Sequence, residues 1–294
     1  MARVAQRRGF DVRAWLRCGR HGNSDRVHAH GRAAPSAMGR GRHACAAART
    51  RTHGAGHRMK TPIERCYAQV PHGGQVLDVG CIGFRQVANA RAAGRPDLLH
   101  AGVDRLPPPD VLPERFDYRV ADLDSDALPF ADDTFDLVIA SHVIEHLRWP
   151  MEAAAEWVRV CKPGGRIYIE APSERSLLLP GMSWAHDEFR SLSYFDDPTH
   201  VGRPWTPQAF YRLATYVGCV PEEARHLTSW RARLLLPAYL IAARIRGRAD
   251  IFEWAVWGAV GWASCLVMRK PESLHGQPQP TYTTSRRKDR EPHA

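Results

Sequence analysis

From Gln75 onward the chain repeats one unit: a short apolar run, a turn, then a stretch with helical spacing. That alternation is the signature of a parallel sheet covered by helices, because parallel neighbours must be joined by a long crossover. The apolar runs predict strands at residues 75–79, 99–103, 135–140 and 166–170, and helices at 84–93 and 151–160. Further on, residues 251–268 read as a helix ending near Gly261 followed by a strand at 263–268. The expected fold is a doubly wound α/β sheet whose ligand sits at the carboxyl ends of the strands.

Charge is distributed very unevenly. Residues 1–58 hold 13 arginines against Asp11 and Asp25, a net +11, whereas the remainder of the chain is −1. A catalytic region so close to neutrality has no bulk attraction for a polyanion, which argues against a nucleic-acid substrate. The front segment lacks helical or strand periodicity and is expected not to fold. A basic arm or a transit peptide fits its composition, but an upstream extension before a start at Met59 is favoured. Three regions follow: the extension at 1–58, a catalytic domain at 59–270 and a polar disordered tail at 271–294. Seven cysteines, odd in number and without paired spacing, suit a reducing, cytoplasmic setting better than a disulfide framework.

Two late apolar stretches, 234–243 and 251–268, are read as packing against the sheet. The first is too short to span a bilayer and the second is interrupted by Glu253. An apolar lid or peripheral membrane contact is the alternative, given Trp254, Trp257 and Trp262.

The first predicted strand runs into Asp78-Val79-Gly80-Cys81-Ile82-Gly83, a glycine-bearing turn that lets backbone approach a ligand. A dinucleotide site would need glycines where Ile82 and Arg85 stand. A carboxylate at this turn repels a diphosphate and attracts the ammonium and sulfonium charges of S-adenosylmethionine. Gly102-Val103-Asp104 then brings a second carboxylate to the next strand end, 26 residues after Asp78, where it can accept from both hydroxyls of a ribose.

Farther on come Ala121-Asp122-Leu123, Leu128-Pro129-Phe130, Phe135-Asp136-Leu137-Val138, Ser141-His142-Val143-Ile144-Glu145-His146 and Lys162-Pro163-Gly164-Gly165. In this order and spacing the chain resembles the class I S-adenosylmethionine-dependent methyltransferases that act on small molecules, over about 200 residues. The resemblance implies a mostly parallel, seven-stranded, Rossmann-like sheet. It implies that Asp78, Gly80, Cys81 and Gly83 line the methionine end of the cofactor and Asp104 the ribose. Asp122 and Leu123 would frame the adenine, and Ser141 the mouth of the methyl site. Ile82 departs from the family, which usually has glycine there.

Methyl transfer from a sulfonium needs alignment, and a base only where the acceptor carries a proton. His200, in Asp197-Pro198-Thr199-His200-Val201, is the first choice of base or acceptor-orienting group, and His142 the second. The Asp197–Val201 block resembles a loop that covers the substrate side in certain bacterial methyltransferases. If a helix begins near Ser141, then His142, Glu145 and His146 share one face. They are the nearest approach to a metal-ligand set, although no metal is expected. Arg190 and Arg203 are candidates for an anionic acceptor group. The acceptor itself, a small molecule or a lipid- or glycan-linked group, is not encoded in any motif, nor is the oligomeric state. The competing classes are a nicotinamide-dependent oxidoreductase and a non-catalytic cofactor-binding protein.

Overall fold

A computed structural model describes residues 60–179 and 192–272. The expectations for residues 1–58, for the tail beyond 272 and for Arg190 lie outside the described residues.

The chain enters through α1 (Pro62–Gln69), held by a capping box in which Thr61 and Glu64 satisfy each other's backbone amides. Seven strands follow, β1 (Gln75–Val79), β2 (Leu99–Asp104), β3 (Asp117–Val120), β4 (Phe135–Ser141), β5 (Cys161–Pro172), β6 (Val220–His226) and β7 (Ala263–Arg269). They form one sheet in the order β3-β2-β1-β4-β5-β7-β6, parallel except for β7, which runs antiparallel to both β5 and β6. The expected doubly wound, mostly parallel, seven-stranded architecture is therefore what forms. Between β1 and β4 the strand order reverses direction, which opens the crevice where such sheets bind ligands.

Side chains alternate across the strands and sort the core into two layers. Val138 and Ala140 of β4 join Leu77, Val79, Ile167, Trp157 and Phe210 on one face. Leu137 and Ile139 join Val76, Tyr168, Val267 and Tyr67 on the other. Among the described helices, α2 (Arg85–Ala92) and α3 (Pro150–Val160) fall close to the expected positions, and α4 (Pro207–Tyr216) precedes β6. Thr206 caps α4 by accepting the Ala209 amide at 3.0 Å, with Pro207 in the first turn.

Three local expectations give way. Ser141 closes β4, and His142 then adopts a left-handed φ of 57°, so no α-helix starts there; only a three-residue 3₁₀ turn, Ile144–His146, forms. Lys162–Gly165 falls inside β5 as an irregularity in its pairing with β4, ahead of the regular register that begins at Leu137↔Arg166. The third concerns α5 (Trp230–Arg246) and α6 (Ala249–Val260), which pack mainly on each other. Of α5 only Ala232 and Ala243 are buried, so the 234–243 stretch does not cover the sheet as expected. Among the described residues no helix is long and apolar enough to cross a membrane.

Candidate functional site

The loop after β1 is shaped by two glycines. Gly80 has φ 74° and donates to the Val103 carbonyl at 2.8 Å, and a Cβ there would lie 2.5 Å from Val143 Cγ2. Gly83, at φ 84°, makes the second bend. Cys81 is buried against β2, whereas Ile82 is exposed, so the residue that replaces a family glycine is accommodated at the surface of the turn. Phe84 then enters α2 in a left-handed conformation and supplies no side-chain cap of its own, and the first-turn amide of Gln86 is turned to the Asp78 carboxylate.

Parallel pairing of Asp78 with Gly102 and of Val79 with Val103 brings the two acidic strand ends side by side. Asp78 is buried, and desolvation pushes its carboxyl well above the usual range; Arg85 and the Gln86 amide oppose this, and Asp104 adds to it. Asp104 ends β2 and accepts the Leu106 amide at 3.1 Å through Oδ1 alone. Asp122 and Leu123 follow β3 in a turn built on Asp122 Oδ1, which accepts the Asp124 amide at 3.0 Å. Ala121 is tied to Asp104 by a 3.0 Å amide-to-carbonyl bond, so these residues stand at the same edge as Asp104.

On the other side of the crevice, Ser141 pairs with Glu170 at the ends of β4 and β5. His142 reaches across, its Nδ1 3.3 Å from Glu145 Oε1 and its Nε2 3.4 Å from Glu170 Oε1. Glu170 also accepts the Tyr168 hydroxyl at 2.6 Å. Burial works against the imidazolium, but the two carboxylates outweigh it and hold the His142 pKa up to about 10. This arrangement favours the protonated ring, in which neither nitrogen carries a lone pair. It is a cation clamped between two acids.

His200 is placed differently. Its Nδ1 lies 2.7 Å from the Tyr194 carbonyl, which fixes that nitrogen as the donor and leaves Nε2 as the acceptor of the neutral ring. Nε2 is 3.8 Å from Asp197 Oδ2, too long for a hydrogen bond, and the side chain is largely buried beneath Tyr194, with ring centroids 4.4 Å apart. The loop that carries it is pinned to the turn after β4. Val201 donates to the Glu145 carbonyl at 2.8 Å, and Thr199 Oγ1 sits 3.0 Å from His146 Nδ1 while donating to Asp197 at 2.6 Å.

Both histidine candidates thus meet at Glu145. One ligand-type atom each from Glu145, His146 and His200 lie within 4.8 Å of one another, close enough to embrace a divalent ion. The anticipated trio of His142, Glu145 and His146 is not the one brought together, because without a helix His142 and His146 turn to different sides of Glu145. Glu145 Oε2 is buried with no hydrogen-bond partner among the described residues. Arg203 is exposed and makes no ion pair among the described residues. A separate hollow of about 250 Å³, lined by Arg95, His100 and Phe116 among others, opens by the amino end of β2, away from the glycine turn.

Sequence reasoning missed Glu170, Tyr194 and Trp262. Trp262 immediately precedes β7, donates its indole N–H to the Leu192 carbonyl at 2.7 Å, and lies 5.7 Å from the His142 ring. Glu170 carried a usable signal, a lone acid near the carboxyl end of an interior strand. The other two had none.

Comparison with known proteins gives partial matches. Residues 77–169 match the model of a family described as "Methyltransferase domain". An uncharacterized methyltransferase of Mycobacterium tuberculosis is 46% identical over 43 residues, 15% of this chain and 17% of that protein. A ubiquinone/menaquinone biosynthesis C-methyltransferase of Cereibacter sphaeroides is 40% identical over 76 residues, 26% of this chain and 29% of the relative. The matches therefore span less than a third of either relative. Among solved structures, an S-adenosylmethionine dependent methyltransferase from Mesorhizobium loti superposes with a TM-score of 0.47 and 17% identity, covering 70% of this chain and 96% of its own. The matched segment, residues 77–169, runs from β1 into β5 and carries the glycine turn and both strand-end carboxylates.

Proposed function

We propose that the protein transfers the methyl group of S-adenosylmethionine to a small-molecule or lipid- or glycan-linked acceptor. The observation that carries this reading is the pair of strand-end carboxylates, Asp78 buried beneath the glycine turn at the start of α2 and Asp104 one strand over. Asp78 offers negative charge to the ammonium and sulfonium of the cofactor. Asp104 Oδ2 and Oδ1 accept from the ribose hydroxyls. Asp122 and Leu123 border the adenine, and Ser141 the methyl group.

The cofactor, when bound, supplies an electrophilic methyl on a cationic sulfur. The residues of this chain align the acceptor, exclude water and, for a protonated acceptor, remove the proton at His200 Nε2. The Tyr194 carbonyl, by fixing Nδ1–H, keeps that nitrogen available. His142, as an imidazolium between Glu145 and Glu170, organises those acids and takes no proton. No step needs a metal. A nicotinamide reading is disfavoured by Ile82 and by the buried carboxylate at the turn.

Thermal unfolding of the protein with S-adenosylmethionine, S-adenosylhomocysteine or NAD tests this. At about 100 times the dissociation constant a ligand stabilises the folded state by roughly 2.7 kcal/mol. A shift with the first two that disappears in Asp104→Ala is the expected outcome; a shift with NAD alone reverses the cofactor assignment.

A further inference from the structure

The α5–α6 hairpin stands at the edge of the sheet where the site opens. β5 and β6 both run antiparallel to β7, so the last residue of β6, His226, and the first of β7, Ala263, lie at the carboxyl ends of the parallel strands. The hairpin is inserted between those two residues. Its base is joined to the site: Ser173 donates to the Gly261 carbonyl at 2.8 Å, and Trp257 stacks on Trp262, 4.1 Å between centroids, which in turn flanks His142.

On α5 the sequence sets Trp230, Leu234, Pro237, Ile241 and Ile245 at successive intervals of four, three, four and four residues, one continuous stripe of a helix. The stripe faces solvent. Trp230 is 72% exposed, Leu234 69%, Ile241 61% and Ile245 80%, and a hollow of about 390 Å³ runs between Ala238, Ile241, Ala242 and Ile245. With about 100° of rotation per residue, Arg231 falls along one side of the stripe and Arg244 along the other; Arg233 donates to the Ala259 carbonyl on α6, and Arg246 stands in the last turn. The helix contains no acidic residue. Arg231, Arg244 and Arg246 form no ion pair among the described residues.

An apolar stripe edged on both sides by arginine has a specific complement: acyl chains below and anionic headgroups beside. The chain beyond residue 58 is net −1, so this local cationic rim is an asymmetry of the domain and gives it one preferred orientation at a negative surface. The front segment carries the same sign of charge, and residues 273–294 are polar.

We propose that α5 lies in the interface of an anionic membrane, with the Trp230–Ile245 stripe in the headgroup and acyl boundary and the arginines on lipid phosphates. Because the hairpin is rooted at the carboxyl edge of the sheet, docking brings the mouth of the site to the bilayer. A lipid-linked acceptor then reaches His200 from the membrane, a consequence that rests on the methyl-transfer reading.

Flotation of the full chain with vesicles tests the docking independently of any activity. Binding is expected to vesicles of phosphatidylcholine mixed with phosphatidylglycerol and not to phosphatidylcholine alone. An arginine near such a surface contributes about 1 kcal/mol, so the triple change Arg231→Gln, Arg244→Gln, Arg246→Gln lowers the partition coefficient on the order of a hundredfold. Leu234→Ser with Ile241→Ser and Ile245→Ser abolishes binding; these side chains are exposed, and unchanged circular dichroism and thermal midpoint verify the fold. Failure of the parent chain to float with either vesicle overturns the proposal. If the serine variant floats as well as the parent, the arginine-rich first 58 residues are the binding element and the proposal falls. A dimer in sedimentation velocity that the serine variant loses, without vesicle binding, makes the stripe a protein interface instead. Cofactor-dependent stabilisation, measured on the same samples without vesicles, fails or succeeds separately.

Discussion

The two halves of the crevice are built by different means. On the glycine-turn side, one continuous stretch of chain from β1 to α2 makes the turn, and backbone conformation does most of the shaping: Gly80 and Gly83 at positive φ, Phe84 left-handed. On the acceptor side the groups come from distant segments, with His142 and Glu145 after β4, Glu170 on β5, His200 on a loop and Trp262 ahead of β7. A local device can be specified by a short motif. A converging one depends on every loop that delivers a residue to it.

Changes on the acceptor side are the most damaging to turnover if this contrast holds. His200→Gln lowers kcat by about 10²- to 10⁴-fold for an acceptor that must lose a proton, with little change in S-adenosylhomocysteine affinity. A parallel fall in both would place His200 in the cofactor half. Next in size is His142→Gln. It leaves Glu145 and Glu170 without their shared cation, and removing one member of a buried charged set costs about 3–5 kcal/mol, read as a lower midpoint in urea. The pH dependence has a defined sign. The folded-state pKa is raised from 6.5 to about 10, so the stability it confers is complete below the unfolded value and drains away as pH rises through the folded one. Proton NMR that finds His142 neutral at pH 8 would contradict the clamp.

The cofactor side responds in binding. Asp104→Ala weakens S-adenosylmethionine by about a hundredfold or more, since two charged-acceptor hydrogen bonds are lost, and calorimetry measures it directly. The smallest effect is titrational. Burial raises the Asp78 pKa, and a cationic ligand favours the ionised form, so affinity rises by up to about tenfold per pH unit until that carboxyl is ionised in the free protein, then levels. Asp78→Asn should flatten the profile; an unchanged slope would move the titrating group elsewhere.

The interior strands were legible because each is an apolar run closed by a turn, and β1 and the end of α6 fall where the sequence places them. β3 and β6 were not. As edge strands they are half exposed and charged, Asp-Tyr-Arg-Val and Val-Pro-Glu-Glu-Ala-Arg-His, without the apolar alternation that marks a strand. The helix expected after Ser141 failed for a local reason with a distant cause: the chain bends at His142, whose ring is held by Glu170 on the neighbouring strand.

By itself the sequence determined the parallel sheet, the acidic glycine turn and the kind of charge that turn can hold, all of which depend on residues near one another in the chain. Tertiary structure alone decided that His142 lies between two carboxylates and that His200 Nδ1 faces the Tyr194 carbonyl, because those partners are delivered by other elements. It also decided that the apolar stretch of α5 faces outward. Composition marks such a stretch as apolar, but whether it meets the sheet or the solvent depends on where β6 and β7 anchor the hairpin.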